Sequence, residues 1–375
     1  MKNTILFLFA LLPVWALAQN ESCEEEIKIF CPNEPKQLKQ LECLLKHEKE
    51  LSNKCKQELQ RLSKVAKETG VRSGGGLSSF GGVIGGLGLV PPQKRVITYT
   101  GSMAPQHDRL DRHKMSFSTP VWSQGKESFS LSLGAGSLNF QEKYVLDKKQ
   151  VEVPKNYNRV ELGANYSKAL KNSRMLGLRA SIGSASDKVF HSSRELIFSM
   201  NASYAYPGKD KNDFWMLTVF MSNNNPLANF VPIPGFVYFH KTEKFTGMFG
   251  LPFASMQWTP VDPWLFSFSL FVTNINLEAA YGHRDQIQFY TGFNMAQEAY
   301  LRVDRDRALD RLFLDEKKIF VGARAPLSKN LFTDLQFGQS FDRKVFEGRS
   351  YGDRRMGEDT LKNSLYGTLS LNVVY

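Results

Sequence analysis

The chain has 375 residues and a formal net charge of +11, from 48 Lys and Arg against 37 Asp and Glu. No run of about 18 apolar residues follows the first 18 positions, so a protein that crosses a membrane with helices is not expected. Aromatic residues make up 12% of the chain, which leaves a soluble exported protein or a β-barrel with aromatic girdles.

The N-terminus has the pattern of a secretory signal peptide. Lys2 is followed by an unbroken apolar stretch over residues 5–12, and Ala16 and Ala18 flank Leu17. A positive start, a short apolar region and an A-x-A-like site are what a signal peptidase recognises. We therefore expect residues 1–18 to be removed and the mature protein to begin near Gln19.

All four cysteines lie in the first 55 residues, at Cys23, Cys31, Cys43 and Cys55. In an exported chain, two disulfides are expected, and four cysteines allow three connectivities. If Cys43 to Cys55 were one helix, about 18 Å would separate the two residues, too far for a disulfide, and both would pair with Cys23 and Cys31. Alternatively, the helix breaks and Ser52 or Asn53 caps a second one. The cysteines include no closely spaced C-x2-C pair, so a zinc site is not expected.

Residues 19–69 read as an amphipathic helical module, because apolar residues recur at three- and four-residue steps between Lys and Glu. The module has ten acidic and ten basic residues between Gln19 and Gly70, so the positive charge falls on the rest of the chain. The run LECLLKHEKELSNKC, which ends at Cys55, resembles one Golgi-type cysteine-rich repeat. That resemblance implies a small disulfide-bonded helical module and no particular ligand.

Residues 70–93 form a Gly-rich linker that ends in Pro91-Pro92. The linker is unusually apolar, with Leu, Phe, Val and Ile between its glycines. Two interpretations stay open: a partly disordered tether, or a segment that threads into the mouth of the following domain.

From Arg95 onward, apolar and polar residues alternate in segments separated by Gly, Pro, Asn and Asp, as in half-buried antiparallel strands. The segments begin near Ser128, Arg159, Leu176, Ile287 and Leu331. One face is apolar in each segment, so it contacts either a second sheet or lipid.

The pattern of the last strand favours contact with lipid over contact with a second sheet. Its apolar residues share one face and end on an aromatic residue at the C-terminus; they are Gly367, Leu369, Leu371, Val373 and Tyr375. This pattern resembles the C-terminal signal that the barrel assembly machinery reads in bacterial outer-membrane barrels.

Three segments, residues 234–264, 300–322 and 341–348, resemble an uncharacterised family of bacterial outer-membrane β-barrels, a domain of unknown function. The resemblance implies a barrel in the outer membrane and nothing about a substrate. A soluble secreted β-sandwich is the alternative.

The predicted fold is therefore an all-β, antiparallel transmembrane barrel over residues 94–375, behind the small α-helical module. At about 10 residues per strand plus loops, 282 residues predict about 12 to 14 strands. An even number places both termini, and hence the cysteine module, in the periplasm.

Two non-enzymatic functions fit this fold. The first is a narrow pore, whose lumen is lined by inward charges; the candidates are Glu161, Arg179, Arg302, Asp304, Asp334 and Arg343. The second is a structural anchor that presents the cysteine module to a periplasmic partner. The basic excess suits lipopolysaccharide phosphates, and nucleic acid is not an expected partner.

The alternative of an outer-membrane lipid hydrolase depends on His191 and Ser193, which would share a strand face. Loop-forming residues precede them and no oxyanion site is evident, so no catalytic residue is assigned. No cofactor and no metal site are expected, and the alternating charges of residues 304–311 indicate a self-paired, solvated loop.

Overall fold

The computed structural model describes residues 51–52, 55–56, 94–104, 110–148, 150–210, 212–225, 230–283 and 285–375. The chain divides into two compact units, Met1–Ser73 and Gly74–Tyr375. No helix in these ranges is both long enough and apolar enough to span a bilayer.

In the first unit, the described residues form a helix start. The backbone N–H of Cys55 donates to Ser52 Oγ at 3.2 Å, and that of Lys56 donates to the Ser52 carbonyl oxygen at 2.9 Å. This is the geometry of a Ser N-cap. Cys55 is buried and disulfide-bonded. The signal peptide, the linker, the other three cysteines and the disulfide connectivity lie outside the described residues and stay predictions.

The second unit contains long antiparallel strands separated by loops. The first half of the chain order is β1 (Val96–Met103), β2 (Leu110–Gln124), β3 (Glu127–Phe140), β4 (Tyr144–Leu146), β5 (Val151–Val153), β6 (Asn156–Ala169), β7 (Met175–Ser186), β8 (Leu196–Pro207), β9 (Asp213–Ser222) and β10 (Ile233–Lys241). The second half is β11 (Phe245–Leu251), β12 (Phe253–Trp258), β13 (Trp264–Phe271), β14 (Asn274–Tyr281), β15 (Gln288–Tyr300), β16 (Arg311–Pro326), β17 (Leu331–Gly348), β18 (Glu358–Leu361) and β19 (Ser364–Val374).

The sheet closes on itself. β1 pairs with β2 on one side and with β19 on the other, in a register that places Val96 opposite Val374. Sixteen strands form the wall, because β18 continues the line of β19 along β17 and the hairpin β4–β5 forms a separate sheet. A single closed sheet rules out the alternative of a sandwich, which needs two sheets.

The prediction of 12 to 14 strands was wrong. It assumed about 10 residues for each strand, plus turns and longer outer loops. Four strands, β11 to β14, fit between Phe245 and Tyr281 because they have only 6 to 8 residues each. Their distal turns consist of Pro252 alone and of Val272-Thr273.

The two faces of the wall differ in chemistry. Large apolar side chains point outward on almost every strand, among them Leu133, Leu162, Ile182, Leu217, Phe249, Leu277, Ile319, Leu335 and Leu369, each at least 39% exposed. Polar residues alternate with them inward. On this inward face, Thr98 and Thr100 of β1 form hydrogen bonds with Asn372 and Ser370 of β19.

The barrel has two unlike ends. At the terminal end, where Val96 and Tyr375 lie, the connections between strands have two to six residues. Exposed aromatic residues mark this end, including Trp122, Trp258, Trp264, Tyr281 and Phe289. At the opposite, distal end, the loops around residues 141–155, 187–195, 223–232, 301–310 and 349–357 are longer.

The distal end is packed over one arc of the wall. The Leu301 N–H donates to the Ala185 oxygen at 2.7 Å, and Ser186 bridges to Leu301, so β7 and β15 meet across the barrel. A cluster that we call the distal core fills the space between them; it contains Leu110, Leu138, Phe140, Tyr144, Leu146, Val153, Tyr157, Tyr300, Leu312, Leu314, Val345, Met356 and Leu361. This arc is therefore solid protein.

Close strand approach requires glycine at Gly183. A Cβ there would lie 2.2 Å from the Val160 carbonyl oxygen, a contact with rigid backbone. Gly134 lies on the other side of the same β6 residue, Glu161, and a Cβ there would be 3.9 Å from the nearest atom.

We predict that Gly183→Ala destabilises the barrel by about 1–3 kcal/mol, because the methyl group overpacks the wall. Gly134→Ala is the matched control and leaves stability within about 1 kcal/mol or raises it slightly. Urea unfolding midpoints of the two refolded variants test this. Equal midpoints would mean that β6 and β7 are farther apart than described.

Candidate functional site in the barrel lumen

The lumen contains a cavity of about 960 Å³. Its lining comes from strands all around the wall, and most of the lining residues are of polar type, with Ser199, Asn201, Thr218, Ser269, Asn276 and Asn294 among the neutral ones. Charged side chains line it as well, namely Arg112, Lys114, Arg159, Glu161, Glu278, Glu298, Lys318, Arg324 and Asp334. A space of this size and chemistry suits water and small polar molecules.

Ion pairs cross the lumen between strands that are not neighbours. On β2, Arg112 contacts Glu298 of β15 at 3.3 Å and Glu316 of β16 at 2.9 Å. Four strands of the wall separate β2 from β15. Lys114 joins Glu298 at 2.5 Å, and Arg343 and Lys318 join Glu316 at 3.2 and 2.9 Å. We call these six residues the transluminal network.

The transluminal network connects strands of the wall that are not adjacent. The side chains of Arg112, Glu316 and Arg343 are at most 11% exposed, so water screens these pairs poorly. Removing one partner would leave a buried charge without compensation, which is more costly than the pair is worth. The network therefore fixes the cross-section of the barrel below the distal core.

A second cluster lies on one wall. Arg324 of β16 contacts Glu278 Oε2 at 2.8 Å and Asp334 Oδ2 at 3.3 Å. Its guanidinium lies 4.0 Å from the ring centroid of Tyr290, whose hydroxyl donates to Asp334. Two carboxylates and an aromatic face surround this one cation, so each charge of the cluster has a partner of opposite sign.

Glu161 differs from the other charges of the lining. It is half-buried on the inward face of β6, in register with Gly134 of β3 and Gly183 of β7. Within the described part of the chain, no ion pair or hydrogen bond engages its carboxylate. An unpaired carboxylate in a polar cavity attracts cations.

The loop of residues 301–310 closes the distal end. The buried Arg305 side chain contacts Glu195 at 3.0 Å and donates to the Arg194 oxygen at 2.5 Å. Arg311 donates to Asn224 Oδ1 at 2.9 Å and also to the Asn223 oxygen. We call these contacts the distal seal, because they join the β15–β16 loop to the loops after β7 and β9.

The distal seal contains a carboxylate with a shifted pKa. Burial by itself would raise the pKa of Glu195, but hydrogen bonds from Ser192 and Arg305 outweigh burial and lower it below its ordinary value. Glu195 also accepts from the Ser192 backbone N–H at 2.9 Å, which completes a capping box on the short 3-10 turn of residues 193–195. The charged form of Glu195 therefore stabilises the seal.

The six lumen candidates lie in different places. Glu161 and Asp334 line the cavity, and Arg179 points inward on β7, where it pairs in register with Asn165 and Asn201. Arg343 belongs to the transluminal network. Arg302 lies in the loop after β15 and forms a buried pair with Glu347 at 2.9 Å, while Asp304 is exposed in the same loop.

Sequence reasoning missed most of the charges that organise the lumen. Alternation places Arg112, Glu298 and Glu316 on the inward faces of their strands. The sequence pattern of one strand does not show which residues of distant strands it meets in the lumen. The interpretation of residues 304–311 as a solvated loop was wrong. Arg305 and Arg311 are at most 3% exposed, and their side chains reach Glu195 and Asn224 outside the run as well as the Ala308 and Leu309 carbonyl oxygens within it.

The residues of the hydrolase alternative do not share a strand face. His191 lies in the loop after β7, and Ser193 begins the 3-10 turn. Among the described residues, no group of three or more His, Cys, Asp or Glu side chains is placed to hold a metal ion.

No protein-family model and no curated protein matches the sequence. Among solved structures, the chain is similar to an outer-membrane channel from Pseudomonas putida F1, with 10% identity, a TM-score of 0.34 and coverage of 76% of this chain and 97% of that one. The Pseudomonas putida toluene transporter TodX has 8% identity, a TM-score of 0.32 and coverage of 75% and 90%. The KdgM porin has 8% identity, a TM-score of 0.25 and coverage of 75% and 99%. These scores assign neither a family nor a function.

We predict that Arg112→Met lowers the free energy of unfolding by about 3–5 kcal/mol, because Glu298 and Glu316 lose a buried partner. Lys114→Met is the control on the same strand face. Its side chain is 58% exposed, so the loss is about 0–1 kcal/mol. Urea titrations of both refolded variants measure the difference, and similar losses would contradict a transluminal role for Arg112.

The Glu195 carboxylate predicts a pH dependence of the distal seal. The pKa of Glu195 in the folded protein lies below the unfolded value of about 4.3. The contribution of its charged form to folding stability is therefore complete above the unfolded pKa and is lost as pH falls through the folded pKa. Glu195→Gln therefore lowers stability at pH 7, and the gap from the unmodified protein narrows below about pH 4. Urea midpoints between pH 7 and 3 measure the gap; a constant gap contradicts the assignment.

Proposed function

We propose that the chain is a bacterial outer-membrane β-barrel. The observation that supports this is the outward belt of apolar side chains around a closed sheet, including Leu162 at 52% and Val321 at 60% exposure. A water-soluble monomer rarely exposes a continuous apolar surface of this extent. In lipid the belt is favourable, and closure leaves no backbone edge without hydrogen bonds.

The terminal end is proposed to face the periplasm. Outer-membrane barrels have short periplasmic turns and longer external loops, and the short connections here lie beside Val96 and Tyr375. The aromatic residues of this end suit the membrane interface. In this orientation the predicted cysteine module and linker are periplasmic, and the outward face of β19 supports recognition by the barrel assembly machinery.

We propose that the lumen is a channel for small polar solutes, held closed at its distal end. The polar cavity of about 960 Å³ supports a solute path. The distal core and the distal seal occupy the outer side of that path, so opening requires the loop of residues 301–310 to move. Glu161 adds a local attraction for cations to this path.

A structural anchor is the second candidate. The transluminal network favours it, because ion pairs across a lumen stabilise a rigid barrel as well as they restrict a pore. As an anchor, the barrel would present the cysteine module to a periplasmic partner. In either role, exposed basic residues of the distal loops, such as Lys148, Lys188 and Arg349, are proposed to contact lipopolysaccharide phosphates.

Single-channel recording in planar bilayers tests the channel. We expect brief, small conductance steps from the whole mature chain and longer or larger steps from Arg305→Gln, which weakens the distal seal. A chain without residues 19–92 shows whether the N-terminal segments restrict the path. Heat-modifiable gel mobility must show that each barrel is folded.

The selectivity of the channel tests Glu161. Glu161→Gln lowers the ratio of cation to anion permeability, measured as a smaller reversal potential in a KCl gradient. Glu127→Gln is the control, because Glu127 pairs with Lys168 at 2.6 Å near the terminal end and lies outside the cavity lining. If all folded variants fail to conduct, the proposal of a channel is wrong and the structural anchor remains as the candidate function.

A further inference from the structure

Four consecutive short strands make up one side of the barrel wall. Strands β11 to β14 have 6 to 8 residues, whereas β15, β16 and β17 have 13, 16 and 18. At about 3.3 Å per residue and a tilt of about 35–45°, the short strands rise only about 14–22 Å along the membrane normal. The apolar band of an outer-membrane barrel is about 25 Å tall.

This side of the wall begins at the membrane interface of the terminal end. Trp258, Trp264 and Tyr281 end or begin the short strands there, and the rings of Trp264 and Tyr281 lie 5.2 Å apart. Trp and Tyr prefer the interface between lipid and water. Strands that start at this interface and rise less than the apolar band end inside it.

The distal turns of the short strands have the chemistry of lipid-embedded turns. We call residues 251–253 and 271–274 the low rim. Leu251 points outward and is 78% exposed, and Phe253 and Phe271 stack with centroids 6.1 Å apart. Turns in water are usually rich in Gly, Asn and Asp, whereas apolar residues predominate in this rim.

Three hydrogen bonds within the protein pair polar groups at the low rim. The Val272 N–H donates to the Pro252 oxygen at 3.2 Å, which links the two turns. Asn274 Oδ1 accepts from the Gln297 N–H at 2.7 Å, and Thr273 Oγ1 donates to Gln297 Oε1 at 2.6 Å. Internal pairing of this kind is what irregular backbone requires at membrane depth.

The luminal cavity reaches the inner side of the low rim. Pro252, Phe271 and Val272 belong to its lining. Uncharged hydrogen-bonding residues of the lining lie near them, namely Thr273 and Asn274 of the rim itself and Ser269, Asn276, Asn294 and Gln297. On the opposite arc, the distal core fills the barrel. The low rim is therefore where the cavity comes closest to the lipid.

We propose that the low rim is a lateral opening through which the cavity takes up a neutral single-chain amphiphile from the outer leaflet. The alkyl chain lies across the apolar rim, and an uncharged head with hydroxyl or amide groups bonds to the amides and hydroxyls beneath it. This inference rests on the proposed outer-membrane location and names a substrate class for the same cavity. A cavity of about 960 Å³ is large enough for a ligand of that size.

The depth of the low rim is tested first. Leu251→Arg places a charge in the apolar layer, so we expect its folding equilibrium constant in phosphatidylcholine vesicles to fall roughly 30- to 700-fold. Leu327→Arg is the matched control. Leu327 is 61% exposed in the turn after β16 at the terminal end, and its constant changes by less than about fivefold. Equal effects would place the rim outside the apolar layer and overturn lateral access.

The ligand class is tested with radiolabelled 1-monolauroylglycerol added to the full mature chain in vesicles. We expect saturable binding beyond partition into protein-free vesicles, and none for glycerol or dodecyltrimethylammonium. Asn276→Leu weakens binding roughly 2- to 10-fold, because a neutral hydrogen bond is lost. Asn165→Leu, the same change on the inward face of β6 outside the cavity lining, leaves it unchanged.

The outcomes separate this inference from the proposed channel. If folded protein conducts ions but shows no saturable binding of 1-monolauroylglycerol, only the proposal of amphiphile uptake is overturned. Protein that binds 1-monolauroylglycerol but never conducts supports the lateral opening and overturns a path for polar solutes. Equal binding by the Asn276 and Asn165 variants overturns recognition at the low rim.

Discussion

The pairing of β1 with β19 is the constraint on which the rest of the structure depends. Residues more than 260 positions apart, such as Val96 and Val374, become neighbours, and the sheet then has no edge. Without an edge, every strand can present apolar side chains to lipid while its backbone stays hydrogen-bonded. The polar face is thereby enclosed, and a lumen exists to be filled, opened or closed.

The lumen is filled unevenly, and this unevenness gives the barrel its functional features. The transluminal network and the distal core make one arc solid, and the loop of residues 301–310 seals its distal end. The remaining space is lined by strands all around the wall and reaches the turns of the short strands β12 to β14. The same barrel thus has an arc packed with the distal core and a low arc where uncharged polar residues of the cavity lie beside an apolar rim.

The alternating pattern predicted much of this fold. Segments beginning near Ser128 and Arg159 lie in β3 and β6, and Gly367, Leu369, Leu371 and Val373 alternate on β19 with the inward Ser370 and Asn372. The predicted strand number was too low because short strands joined by turns of one or two residues are not separated by a recognisable loop segment in the sequence. Glu161 and Asp334 were placed on the inward face by alternation alone. Arg112 and Arg305 were not found, because their partners depend on closure and loop packing.

Amide hydrogen exchange of the refolded protein in lipid vesicles tests barrel closure most directly. A closed sheet predicts that residues 96–103 of β1 and 364–374 of β19 are protected as strongly as the interior strands β3 and β6, because each N–H of a closed wall is bonded within the sheet or shielded by lipid. Fast exchange confined to alternate amides of β1 and β19 would show two free edges. The barrel, its lumen and the lateral opening would then all be contradicted.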